Sequence, residues 1–405
     1  MSKDILGVYN IEDIRQKAKK RLPKGIFDYV DRGAEDDIAL RNNREAYETL
    51  KFKNRVLVDV SKRSTKSKIF GEEITMPFGV SPTGTVGLMA HGGEVGVAKA
   101  AVRMGVPCCV STNAQTSMEE VFNGAGGDAG KLWFQVYMWP DLEARQGLID
   151  RARACGFKTL VITVDGPVGP NREYNKRTGY GVPVKYTPQM VRHVLMNPGW
   201  LFRVYIRHLV ERGPMKLENY PEKYRAKIRD KEHKYALTKA DNQSWDDIRR
   251  IRDNWDGNVL VKGLQSPEDA VIAADIGCDG VVISNHGGRY VDCAVAPIQV
   301  LPEVRAAVGR RLAVIVDSGP RRGSDIVKGL ALGADLVMSG RPTLFGAAYR
   351  GEAGAYRALE IFHEELDRVM AQLGMNSVSD ITPDVFWNPP ETALASAFTA
   401  ALAAE

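Results

Sequence analysis

Gly280-Val281-Val282-Ile283-Ser284-Asn285-His286-Gly287-Gly288-Arg289-Tyr290-Val291-Asp292 is the stretch from which the fold is read. Its first four residues have the length and branching of a short buried strand. The chain then breaks into a loop that presents an imidazole and, three residues on, a guanidinium. A histidine can take a proton near neutral pH, and an arginine can grip a carboxylate through two parallel hydrogen bonds. The two glycines between them let backbone approach a ligand. Taken alone, His-Gly-Gly-Arg could also be a polar turn over a strand end, the lesser of the two readings.

The neighbouring units decide the matter. Apolar strand candidates recur at Pro77–Gly84, Pro107–Thr112, Leu132–Tyr137, Thr159–Asp165, Val259–Gly263, Gly280–Asn285, Ala313–Gly319 and Leu336–Arg341. Helical patterns lie between them, at Gly93–Met104, Leu142–Cys155, Trp245–Trp255, Pro267–Ile276 and Ser324–Leu332. Strand and helix in alternation imply a parallel sheet, and eight such units imply an α/β fold closed into a (β/α)8 TIM barrel. An open doubly wound sheet is the runner-up, weakened because no Gly-x-Gly-x-x-Gly follows the first strand. Polar residues end every strand: Pro82-Thr83-Gly84, Ser111, Gln135 with Tyr137, Thr163 with Asp165, Lys262, Ser284 with His286, Asp317 with Gly319, and Gly340-Arg341. In a barrel these ends converge on one mouth, where active sites of this architecture form. Asp317-Ser318-Gly319-Pro320-Arg321-Arg322-Gly323 and Gly340-Arg341-Pro342 each place glycine and arginine at a helix start, which suits a phosphate.

The remaining sequence bounds the organisation. Of 405 residues, about 1–75 form an N-terminal helical and antiparallel cover, with helices at Ile11–Arg21 and from Pro23 to Val30, and extended segments at Phe52–Val60 and Ser67–Thr75. The barrel takes 76–374, interrupted after the fourth strand by a long insertion, 166–244, and a tail follows over 375–405. A net charge of +5 is too small to imply nucleic acid. It is uneven: Lys185–Lys239 carries 13 Lys/Arg against 5 Asp/Glu, an excess of +8, which leaves −3 elsewhere. Within it, Val191–Val210 mixes Leu195, Met196, Trp200, Phe202 and Tyr205 with Arg192, Arg203 and Arg207. That composition fits either a helix lying on an anionic membrane or a lid or subunit contact. Gly179–Val184 is a second candidate for folding over the mouth. Five cysteines without metal or CxxC spacing, no secretory pattern at Met1–Asn10 and no membrane-spanning run imply a reducing cytoplasm. No metal site is expected.

These motifs, in this order, resemble the FMN-dependent L-2-hydroxy acid oxidase/dehydrogenase family, which includes glycolate oxidase, L-lactate dehydrogenase and (S)-mandelate dehydrogenase. The resemblance runs from about Ile11 to Leu373. Its most specific pieces are Phe27-Asp28-Tyr29 with Gly33-Ala34-Glu35-Asp36, Ser284 through Arg289, and Asp317 through Gly323. It implies FMN as cofactor, a small 2-hydroxy acid as substrate, a quinone, electron carrier or oxygen as acceptor, and a homotetramer. It further implies that His286 is the base, paired with Asp165, whose negative charge would ease proton acceptance by raising the imidazole's pKa. Arg289, Arg172 and Tyr29 would hold the substrate carboxylate and Tyr137 its hydroxyl oxygen, with Lys262 beside the reduced flavin ring. Pro82, Thr83, Gly84, Ser111, Gln135, Thr163 and Ser284 would line the flavin, Asp317 its ribityl chain, and Gly319, Arg321, Gly340 and Arg341 its phosphate.

Two positions depart from the short-chain oxidases of the family: Asn113 stands where they carry tryptophan, and Gly169 where they carry leucine. Both changes remove bulk, so a substrate larger than glycolate is expected. The region around Asn197-Pro198-Gly199-Trp200 resembles bacterial lactate and mandelate dehydrogenases, some of them membrane-attached, which favours a dehydrogenase over an oxidase; a peripheral position on the inner face of the cell membrane through 185–239 stands as the alternative to the lid or subunit contact. The alternatives are a peroxide-producing oxidase and, more remotely, an aldolase barrel using Lys262 as a Schiff-base lysine.

Overall fold

The computed structural model describes residues 7–180, 187–224 and 241–389. Eight parallel strands close into a barrel: β3 (Phe78–Val80), β4 (Cys108–Ser111), β5 (Leu132–Tyr137), β6 (Thr159–Thr163), β7 (Asn258–Leu264), β8 (Gly280–Ile283), β9 (Ala313–Val316) and β10 (Leu336–Ser339). Each expected strand is present, and β10 pairs with β3 to close the ring. The pattern of side chains explains the closure. Alternate residues Cys109, Trp133, Val161, Leu260, Val282, Ile315 and Met338 form one buried cluster that fills the barrel. Their neighbours, such as Phe134, Leu160, Val261, Val281 and Val316, belong to the second cluster, shared with the surrounding helices. Strands buried on both faces therefore read as unbroken apolar runs. Trp133 is only 1 % exposed, so Trp133→Ala would cost roughly 3–5 kcal/mol.

The helices begin where capping chemistry allows. Asp141 accepts the Ala144 N–H at 2.9 Å to start Leu142–Cys155, and Gly156 ends it in the left-handed region. Ser266 and Pro267 open Pro267–Asp275 in the same manner. Met118–Gly124 and Pro297–Val308 complete the ring of helices without having been singled out in the sequence. The closing helix runs from Arg341 to Gln372, broken at Arg350 and Gly351, so the expected Glu352–Met370 is its second half.

The cover has two parts at opposite ends of the barrel. The hairpin β1 (Ser67–Ile69) and β2 (Glu72–Ile74) inserts Ile69 and Ile74 into the interior cluster and stops the N-terminal end. The helices Ile11–Arg21, Lys24–Asp31 and Ile38–Thr49 reach the mouth instead. Phe52–Val60 is not a strand. Only Phe52 forms a bridge, to Phe386, and their rings stack with centroids 5.9 Å apart. The reason is local: Lys53, Asn54 and Arg55 are exposed and offer no alternating apolar face.

The insertion is helical over Pro188–Leu195, Pro198–Trp200 and Arg207–Arg212, with a wider π-helical turn at Leu201–Ile206. One face docks on the barrel. Trp200 Nε1 donates to the Leu88 carbonyl at 2.7 Å, and His91 meets Glu211 at 2.8 Å. The other face leaves Leu195, Met196, Phe202 and Val210 exposed. Most of the expected mouth-covering segment Gly179–Val184 lies outside the described residues, as do 185–186 and 225–240 of the basic stretch and residues 390–405 of the tail.

Candidate active site

The strand ends converge on a mouth cavity of about 1130 Å³, open solvent at its rim included. Its wall contains Tyr29, Pro82, Thr83, Gly84, Asn113, Gln135, Tyr137, Thr163, Arg172, Lys262, His286, Arg289, Asp317, Gly319, Arg321, Gly340 and Arg341. Four other expected site residues lie elsewhere. Asp165, Ser111 and Ser284 stand behind the lining, bonded to residues that form it. Gly169 is exposed, does not line the cavity, and a Cβ built on it would touch nothing within 4 Å. Its lack of bulk therefore does not enlarge the substrate space.

The imidazole is held from both sides. His286 Nδ1 lies 3.0 and 3.2 Å from the two Asp165 carboxylate oxygens, and its ring meets Tyr290 edge-on at 4.7 Å. Its backbone sits at φ +56°, an uncommon region for a residue with a Cβ, where the His286 N–H reaches the Ser284 hydroxyl at 3.0 Å. With Nδ1 committed to the carboxylate, Nε2 is the atom left to meet a substrate proton. Burial is the largest influence on the ring and carries its pKa below 6.5, with Lys262 and Arg172 adding to the effect. Asp165 acts in the expected upward direction but does not prevail. The ring is consequently neutral, and competent as a base, at neutral pH.

Lys262 is aimed by a β-bulge. The β7–β8 register shifts between Lys262 and Leu264, and Gly263 takes φ +111°, where a Cβ would fall 2.5 Å from that of Asp165. The ammonium donates to Ser284 Oγ at 2.7 Å and pairs with Asp317 at 3.1 Å. Burial opposes its charge, but Asp317 and then Asp165 outweigh this and hold its pKa above the ordinary value. Asp317 responds in kind: burial pushes it up, and Lys262, Ser284 and Ser318 pull it below the usual carboxylate range. A Schiff-base lysine must be an uncharged amine. The ion pair with Asp317 favours the charged form of this lysine, which counts against the aldolase alternative.

Two arginines face the imidazole. Arg289 donates to the carbonyls of Tyr29 and Arg32 at 2.7 and 3.1 Å, and Arg172 to the Arg289 carbonyl at 3.3 and 3.4 Å. The Tyr29 ring lies within 5.0 Å of the Arg289 guanidinium carbon and 6.0 Å of that of Arg172. Burial raises the Tyr29 hydroxyl, but the two cations overcome it and bring its pKa below 10.0. Burial first, then Tyr290 and Asp165, push the Tyr137 hydroxyl well up, so it remains a donor. The N-terminal cover is fastened here: the Ala34 N–H donates to the Gly288 carbonyl at 2.8 Å, and the Asn43 and Asn285 side-chain amides donate to one another at 2.9 and 2.7 Å. At Gly288, φ +72°, a Cβ would strike the Leu40 backbone at 2.6 Å.

The residues fit a flavin mononucleotide. Arg321 and Arg341 are half-buried, and loss of water pushes their pKa values down to about 10 and about 9. Neither they nor Arg172 and Arg289 form an ion pair with any carboxylate among the described residues. Clustered cations partly withdrawn from water and without counter-ions favour an anion among them. Gln135 Nε2 and Thr163 Oγ1 are buried polar atoms without a partner, and Ser111 fixes the Gln135 amide by donating to Oε1 at 3.1 Å. A ring with carbonyl and nitrogen acceptors would satisfy them.

The sequence reading missed two aromatic residues. Tyr290 follows Arg289 directly, and its place in the same loop was the available signal. Tyr220, from the returning arm of the insertion, donates its hydroxyl to Asn113 Oδ1 at 2.8 Å; nothing in its local sequence marks it.

A TIM barrel with arginines at two loop ends and a half-buried His–Asp pair at one mouth fits the class of flavin-dependent hydroxy acid enzymes. The chain matches the family described as FMN-dependent dehydrogenase over residues 18–388, and it belongs to that family. It is 37% identical over 381 residues to an (S)-mandelate dehydrogenase of Pseudomonas putida, covering 94% of each chain. It is 35% identical to a putative L-lactate dehydrogenase of Mycobacterium tuberculosis, covering 92% of this chain and 87% of that one. A crystal structure of the monotopic membrane protein (S)-mandelate dehydrogenase superimposes with TM-score 0.87, at 37% identity, over 94% of this chain and 99% of the other.

Proposed function

We propose that this chain oxidises an L-2-hydroxy acid bulkier than glycolate, such as L-mandelate, to the 2-oxo acid and passes the electrons to a quinone or electron carrier. The observation that carries the reading is His286, held at Nδ1 by Asp165, beside Arg289 and Arg172, which pair with no carboxylate among the described residues. Arg289, Arg172 and the Tyr29 hydroxyl bind the substrate carboxylate, which fixes the position of the adjoining carbon. His286 Nε2 takes the proton released in the oxidation, and Asp165 stabilises the imidazolium that results. Tyr137 donates a hydrogen bond to the substrate oxygen as its charge changes. FMN would supply the acceptor for the two electrons and the second hydrogen that leave the substrate. Arg321 and Arg341 would hold its phosphate, Gln135 and Thr163 its ring, and the Lys262 ammonium would favour an anionic reduced ring.

Among the described residues no helix is long and apolar enough to cross a membrane. Peripheral contact through the exposed face of residues 188–212 is the reading that Leu195, Met196, Phe202 and Val210 support, beside Arg203 and Arg207. The reaction is tested by mixing purified protein with L-mandelate, L-lactate or glycolate without oxygen, following flavin absorbance and the 2-oxo acid formed. L-Mandelate should give a higher kcat/KM than glycolate. Highest kcat/KM with glycolate overturns the substrate assignment, and no product from any 2-hydroxy acid overturns the reaction.

A further inference from the structure

The loop after β9 is organised by one buried carboxylate. Asp325, 2 % exposed, accepts the backbone N–H groups of Arg321 and Arg322 at 2.8 and 3.1 Å through the same oxygen, Oδ2. That oxygen also receives the guanidinium of Arg44 at 2.7 Å. Arg44 belongs to the cover helix Ile38–Thr49 and donates in addition to the Gly319 carbonyl. One side chain from the N-terminal cover therefore clips both ends of the turn from Gly319 to Asp325.

The clip resolves a competition. Arg321 forms part of the wall of the flavin cavity and also of a second cavity behind it, which Arg15, Arg44 and Arg322 help to line. Its guanidinium thus has carboxylates behind it and the space for a phosphate in front. A buried carboxylate deprived of its cation would draw the nearest guanidinium toward itself. The two carboxylates that act most on Arg321 are both engaged by other arginines. Asp325 is held by Arg44, and Asp31 is gripped at two points by Arg15, each at 2.6 Å.

We propose that Arg44 is a positioning residue for the cofactor phosphate: by occupying Asp325 and the Gly319 carbonyl, it keeps Arg321 turned into the flavin cavity and holds the loop in its phosphate-receiving shape. The inference rests on the reading that FMN occupies the mouth. The charge balance agrees with it. Burial first, and then the neighbouring Arg44, depress the Arg321 pKa, which makes that guanidinium seek an anion in front.

FMN and riboflavin share ring and ribityl chain and differ in the phosphate, so their competition isolates this contribution. Holoenzyme is dialysed to equilibrium against mixtures of the two, and the ratio retained is measured by chromatography of the released flavin. Arg44→Gln should lower the preference for FMN by about tenfold or more, the scale of one charge-assisted contact. In the double variant Arg44→Gln/Asp325→Asn the competing charge is gone, while asparagine Oδ1 still accepts the loop N–H groups. Its preference for FMN should recover toward the parent. Arg44→Lys keeps the charge and loses the second hydrogen bond, so its preference should fall about threefold; it carries the test if the glutamine variant does not fold. Parental selectivity in Arg44→Gln or Arg44→Lys, or a double variant less selective than the single, overturns the proposal. A parent protein that holds no FMN would instead refute the function on which it rests.

Discussion

Replacing Asp165 with asparagine removes one charge from behind His286 while nearly preserving shape. The carboxylate lies 3.0 Å from Nδ1. At an effective dielectric constant of ~20, unit charges at that spacing attract by about 5 kcal/mol, which is a ceiling. A neighbouring carboxylate shifts a titrating group by about 1–3 pH units in practice. The imidazole becomes imidazolium only as the proton moves, so this stabilisation is felt in the transition state and not in substrate binding. Asp165→Asn should therefore slow the substrate-dependent reduction step by about 10- to 1000-fold, with KM, set by Arg289 and Arg172, changed a few-fold at most. The pH profile gives the sign. Burial already places the His286 pKa below 6.5, and Asp165 opposes that displacement. Losing Asp165 lowers the pKa further, so the acid limb of the rate should move to lower pH while the plateau falls. Anaerobic stopped-flow across about pH 5 to 9 measures both. A plateau within threefold of the parent, or an acid limb displaced upward, would refute the assignment of Asp165 as the partner of the base.

Three further outcomes are expected. Arg289→Lys should raise KM and lower the rate together, because an ammonium cannot span the Tyr29 and Arg32 carbonyls and a carboxylate at once; unchanged steady-state kinetics would remove Arg289 from the site. A histidine whose folded pKa is depressed binds its proton more readily in the unfolded chain, so stability contributed by neutral His286 is lost as pH falls below about 6.5. Thermal unfolding should show that loss, and His286→Gln should reduce its slope; a variant with the parent's pH dependence counts against burial as the cause. Phe202→Ser with Val210→Ser should weaken flotation with anionic vesicles while leaving flavin content intact, and equal flotation would discard this face as a membrane contact.

The barrel was legible because strands buried on both faces leave continuous apolar runs, and because each run ended in polar residues. The His286 and Arg289 loop and the two arginine-bearing helix starts were legible for the same reason: their chemistry is carried by consecutive residues. The net pKa of His286 was not. A neighbouring carboxylate can be named from sequence, but the burial that overrides it is a property of the closed mouth. Gly169 was placed at the substrate by family position, and the loop after β6 carries it out to solvent instead. Tyr220 could not be found at all, because its contact with Asn113 joins the insertion to the end of β4 across 107 positions of sequence.

The cover that supplies Tyr29, Asn43 and Arg44 is made first and used last. Asn43 waits 242 residues for Asn285, and Arg44 waits 281 for Asp325. Until then Ile11 and Ile14, which finish packed in the common core with the closing helix, have little to cover them. Such distant pairings are slow to form and leave apolar surface open to aggregation. If Arg341 holds the flavin phosphate as proposed, that site is incomplete until Arg341 has been synthesised, and flavin would be captured by a nearly finished chain. A cut or fusion within the opening helices would thus appear as a cofactor defect at the far end of the sequence.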